Sequence, residues 1–95
     1  MTDAPVGMYP DLPELFTAAE WSAISGELAL SQRHQQVARL LCLGWSRSRI
    51  GESLGLDVET TQRHIHSLFR HLRVPDAVGV PVRLIRALRA LEQTA

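Results

Sequence analysis

The chain has 95 residues, 45% of them hydrophobic and 21% charged, which suits one modest globular core and excludes a deep cleft between two lobes. Ten arginines balance ten carboxylates, so the net charge is zero and bulk charge does not argue for a nucleic-acid partner. No apolar run reaches the roughly 18–20 residues that cross a bilayer, and the opening MTDAPVGMYPDLPEL lacks the basic start and apolar middle of a signal peptide. A cytoplasmic protein without a membrane partner is therefore expected.

The zero conceals an asymmetry. Residues 1–29 carry Asp3, Asp11, Glu14, Glu20 and Glu27 with no lysine or arginine, a balance of −5. From Leu30 onward all ten arginines face five carboxylates, a balance of +5, and the four histidines lie there too. An arginine-rich C-terminal part suits phosphate neutralisation. Every basic side chain is arginine, to which little meaning attaches. Nothing resembles an internal repeat or a low-complexity tract.

In chain order, residues 1–15 hold Pro5, Pro10 and Pro13 and read as a flexible acidic leader. Thr17 with Glu20 forms a capping box, and Phe16 and Trp21 stand at the two positions of a hydrophobic staple. A helix is predicted from Ala18, through Ile24, to a stop near Gly26, as a packing element of residues 16–29 that buries Trp21, Ile24 and Leu28. Ser31 announces the next helix, whose apolar face is Val37, Ala38, Leu40 and Leu41 and whose stop is Gly44. Cys42 lies in this apolar run; a lone cysteine forms no internal disulfide, and a buried, inert thiol is expected.

Ser46 caps a short helix with Ile50 and Leu54 inward, and Gly51 sits where two helices would cross, its missing side chain allowing close approach. Gly55-Leu56-Asp57 is a tight turn, since glycine ends one helix in a left-handed conformation and aspartate caps the next. On the helix from Val58 to about Arg73, the residues Val58, Thr61, Ile65, Leu68 and Leu72 recur at steps of three and four and predict an inward face. Glu59, Gln62, Arg63, His66, Arg70 and Arg73 form the opposite stripe. After Val74-Pro75 a last helix is predicted from about Val80, with Pro81 in its first turn. Its stripe is Val82, Ile85 and Leu88, with Leu84 and Leu91 beside it. The expected fold is all-α, with five helices and short connections. Two helices meeting across about three residues is the spacing of a helix-turn-helix, the arrangement that offers a helix to the major groove of DNA.

Over Leu30 to about Leu88 the chain resembles the LuxR/GerE-type helix-turn-helix domain of bacterial transcription regulators. The resemblance is carried by LSQRHQQVARLLCLG, WSRSRIGESLGL and DVETTQRHIHSLFRHLRV, with Leu30-Ser31, Gly44, Ile50, Leu54-Gly55, Thr60, His64 and Leu72 in register. It implies a four-helix domain over residues 30–95, here with one additional N-terminal helix, whose third helix enters the major groove and whose fourth often joins a dimer. It also implies double-stranded DNA as partner and Gln62, Arg63 and His66 as base-contacting residues, the stripe that periodicity also selects. The family's phosphate contacts find donors in Arg47, Arg49, Thr60 and Arg70, and the helix N-termini after Ser46 and Asp57 offer amides. This chain departs from the pattern on the DNA-facing side. Gln62 stands where lysine is common, Glu59 where a basic or neutral residue is common, Thr61 for a usual valine, and Arg33-His34 for a usual arginine-glutamate pair.

Arg63 can donate two parallel hydrogen bonds to guanine and Gln62 can pair at two points with adenine, while His66 can donate or accept. Glu59 either accepts from cytosine N4 or repels the backbone. His64, His66 and His71 do not form a closed tetrahedral set, so no metal is expected. No phosphate-binding glycine loop, nucleophile elbow or carboxylate pair points to catalysis or a cofactor. The expected function is a stand-alone, sequence-specific DNA-binding regulator, acting as a homodimer through Val82, Ile85, Leu88 and Leu91 unless that stripe is spent on the internal core. A promoter-recognition domain of a sigma-like factor shares the central helix pair, but the helix after Pro75 argues against it. The alternative of another class is a protein-interaction module on the same scaffold, with a protein partner and weak or no DNA binding. With no sensory domain expected before Leu30, control falls to expression level, a partner, or the acidic leader folding over the basic surface.

Overall fold

The structure is a computed structural model that describes residues 12–94. Five helices follow one another, α1 (Ala18–Glu27), α2 (Gln32–Cys42), α3 (Arg47–Leu54), α4 (Val58–Leu72) and α5 (Gly79–Thr94), with no strand among the described residues. The protein is all-α. The expected leader lies mostly outside the described residues, at positions 1–11. Its last part is held in place, since Glu14 accepts from Arg39 Nε at 2.9 Å and from Trp21 Nε1 at 3.4 Å.

Each helix starts where a side-chain oxygen satisfies an orphan amide. Thr17 accepts from the Glu20 amide at 3.1 Å while Glu20 reaches back to the Thr17 amide at 2.9 Å, completing the capping box. The staple beside it closes edge to face, with Phe16 and Trp21 ring centroids 5.0 Å apart. Ser31, Ser46 and Asp57 cap α2, α3 and α4 in turn. Before α5, Asp76 accepts from the Gly79 amide at 3.2 Å.

The first four helices also end alike, each on a residue in the left-handed region followed by an amide that bonds five residues back. Gly44 and Gly55 fill that position after α2 and α3. After α1 and α4 it falls to Ala29 (φ 53°) and Arg73 (φ 59°). The expected stop at Gly26 is therefore displaced. Gly26 stays helical, and the chain turns at Ala29 because Leu30, the next residue, enters the core at 7% exposure.

Helix α2 packs against α3, α4 and α5, and α1 lies on α5. One core results, built from Phe16, Ile24, Leu30, Val37, Ala38, Ile50, Ile65, Leu68, Leu72, Val80 and Leu84. Ile24 of α1 is fully buried in it, so the boundary near residue 30 is a change of charge and not of packing. Burying each large aliphatic side chain stabilises the fold by about 1.5–3 kcal/mol.

Two inward faces differ from expectation. Val58 is 78% exposed, because it opens the first turn of α4 and the buried stripe of that helix begins one turn later at Thr61. On α5 the buried residues are Val80, Leu84 and Ala87. The predicted stripe is thus rotated: Ile85 and Leu88 are half-buried at the edge of the core, Leu91 is half-buried, and Val82 is 46% exposed. Cys42 is half-buried and not enclosed. No helix among the described residues is long and apolar enough to cross a membrane.

Candidate nucleic-acid interface

Helices α3 and α4 form a bihelical unit whose geometry follows from three small residues. Gly55, at φ 70°, ends α3, and its successor Leu56 bonds back to the Gly51 carbonyl at 2.9 Å. Asp57 then caps α4 through the Thr60 amide at 2.7 Å. At the crossing, Gly51 lets α4 approach so closely that a Cβ there would lie 2.6 Å from Thr61 Oγ1. Thr61 is itself 2% exposed, and its hydroxyl donates to the Asp57 carbonyl at 2.7 Å. A threonine therefore fills the inward position without an unsatisfied polar atom.

The core side of α4 is Thr61, Ile65, Leu68 and Leu72, all buried. On the far side Glu59, Arg63, His66 and Arg70 are exposed and Gln62 is half-exposed. Steps of three and four bring these five to one stripe along about three turns. The His66 ring leans on Phe69, with centroids 6.0 Å apart, which limits the directions its nitrogens can face.

The expected phosphate donors differ in what already holds them. Arg47 and Arg49 are both exposed, in the first turn of α3. The Arg49 guanidinium stacks over the Trp45 ring at 3.8 Å, a cation–π contact. Thr60 is half-buried, and its amide donates to the Asp57 carboxylate at 2.7 Å. The Thr60 amide first, then its hydroxyl, hold the Asp57 carboxyl below the usual range, with a smaller pull from Arg63. The expectation of free amides at both helix starts is thus reduced. Ser46 and Asp57 take the third amide of each helix, leaving the first two for a phosphate.

Three features escaped sequence reasoning. The Trp45–Arg49 stack had a signal in the four-residue spacing. Val78, 75% exposed, is a large apolar side chain at the surface in the turn just before α5. His34 on α2 meets α4, with its Nε2 3.1 Å from Ser67 Oγ and its ring 4.9 Å from that of His71; residues this far apart in sequence carry no local signal. His64, His66 and His71 do not converge into a ligand set, and no group of three histidine, cysteine or carboxylate side chains among the described residues can hold a metal ion. Comparison of the chain with protein-family models, curated proteins and solved structures finds no match.

Proposed function

We propose that this chain is a cytoplasmic, sequence-specific DNA-binding regulator of transcription on a LuxR/GerE-type helix-turn-helix, with α4 in the major groove. The observation that carries the reading is the stripe of Glu59, Gln62, Arg63, His66 and Arg70, turned away from the core on the second helix of a tight bihelical unit. Arg63 and Gln62 read guanine and adenine edges, each contact contributing about 1–3 kcal/mol of discrimination. His66 and Glu59 touch further bases. Arg47, Arg49 and Arg70 neutralise phosphates, and Thr60 supports the start of α4 beside them. One such helix buries too little for tight specific binding, so two copies occupy two half-sites. Val82 and Ile85, with Leu88 and Leu91 at the edge, supply the apolar side of α5 for that pairing.

A second reading, a protein-interaction module, is favoured by one feature: Asp57 and Glu59 set two exposed carboxylates at the tip of α4, where phosphates would approach. Titration with random and selected duplexes at several salt concentrations separates the two. The DNA reading requires binding whose logarithm falls steeply and linearly with the logarithm of salt, as counterion release imposes. Absence of binding at low salt, or binding with a flat salt response, leaves the protein-interaction reading.

A further inference from the structure

The seam between α2 and α4 holds histidines that DNA recognition does not use. His64, Ser67 and His71 lie along one flank of α4, and His34, three residues into α2, faces that flank. The His71 Nε2 lies 2.7 Å from the Leu28 carbonyl oxygen. A carbonyl only accepts, so His71 carries a proton on Nε2. His34 Nε2 lies 3.1 Å from Ser67 Oγ, while its Nδ1 is buried without a partner. A buried N–H with no acceptor is the costlier arrangement. Neutral His34 therefore keeps its hydrogen on Nε2, donated to Ser67, and leaves a bare lone pair on Nδ1.

Adding a proton to His34 works against each of these features. It can enter only at Nδ1, where nothing accepts a hydrogen bond from it. The new charge sits in the first turn of α2, beside amides that already carry partial positive charge. It also faces His71, with ring centroids 4.9 Å away, and His64, the two titratable neighbours on α4 that act on it.

We propose that the His34–Ser67–His71 seam is an acid-opened latch, in which a proton on His34 Nδ1 separates α2 from the C-terminal half of α4. Burial first, then His71 and His64, hold His34 below its ordinary value of 6.5. The unfolded chain therefore binds more protons than the folded one just below that pH. The latch contributes fully above about 6.5 and is lost as pH falls from there through the lowered folded value. The latch belongs to the fold; that its opening also weakens duplex binding, by freeing α4, rests on the DNA reading.

The test compares thermal unfolding at pH 7.5 and 5.5 for the full chain and its His34→Gln variant, which keeps an amide donor for Ser67 and does not titrate. The wild-type midpoint is expected to fall by a few degrees more than the variant's, and equal falls overturn the latch. Should the variant not fold, an NMR titration of the wild-type imidazoles decides. His34 protonating below 6.5 from an Nε2–H tautomer supports the latch, and protonation at or above 6.5 overturns it. Neither measurement involves DNA, so a chain that opens in acid yet binds no duplex would retire the DNA reading and leave the latch standing.

Discussion

Gly51→Ala puts a methyl group into the crossing of α3 and α4. The new Cβ would lie 2.6 Å from Thr61 Oγ1 and 3.2 Å from the Leu56 carbonyl oxygen. Neither atom can simply swing away, since Thr61 is buried with its hydroxyl bonded to Asp57 and Leu56 offers backbone. Helix propensity favours alanine by about 1 kcal/mol. Overpacking costs about 1–3 kcal/mol, and displacing the hydroxyl forfeits about 1 kcal/mol more. The net expectation is a loss of about 1–3 kcal/mol, or about 5–20 °C in thermal midpoint for a chain of this size. Gly26→Ala is the control: nothing lies within 4 Å of its Cβ, so propensity acts alone and the midpoint rises. The decisive measurement is a double-mutant cycle with Thr61→Ala, followed by denaturant unfolding. With Oγ1 gone, only the 3.2 Å approach to the Leu56 carbonyl remains, and the loss from Gly51→Ala should shrink markedly. An undiminished loss in the Thr61→Ala background, or a wild-type chain stabilised by Gly51→Ala, would refute a steric crossing.

Arg63→Ala is expected to relax base choice at one position by about 1–3 kcal/mol, whereas Arg47→Ala should weaken all duplexes alike and lower the salt slope by about 0.9; equal losses from both on every site, measured by fluorescence anisotropy, would contradict the division of roles. Because the Thr60 amide and hydroxyl lower the Asp57 pKa from 3.8, its cap contributes above that pH and is lost as pH falls through the folded value. Asp57→Asn should therefore flatten the acid limb of stability below about pH 4 while keeping α4 capped, which circular dichroism against pH will check. Burial, then nearby Glu14, push the Cys42 thiol up to about 12, so a disulfide reagent at pH 8 should react with it far more slowly in the native chain than in denaturant. Comparable rates would show the thiolate to be accessible.

Features within reach of four residues are legible along the chain. Thr17 with Glu20, and Ser31, Ser46 and Asp57, mark helix starts because a cap and its amide are three residues apart. Gly44 and Gly55 mark stops because the left-handed region disfavours other side chains. Gly51 was legible as a crossing, though Thr61 as its partner was not. The polar stripe of α4 was legible from period alone, since charged residues at steps of three and four stay out of a core.

Tertiary structure decided where those periods begin and which way each helix turns about its axis. Val58 fits the inward pattern yet lies 78% exposed, because it is the first residue of α4 and the buried stripe begins a turn later at Thr61. On α5 several stripes were apolar enough to face inward, and packing on α1 and α2 selected Val80, Leu84 and Ala87, leaving Val82 at the surface. His34 and His71 lie far apart in the chain and meet only because α2 and α4 pack side by side. Local bonding is written in neighbouring residues, but the rotation of a helix is set by the sum of its burials against others, and that sum exists only once the chain has closed on itself.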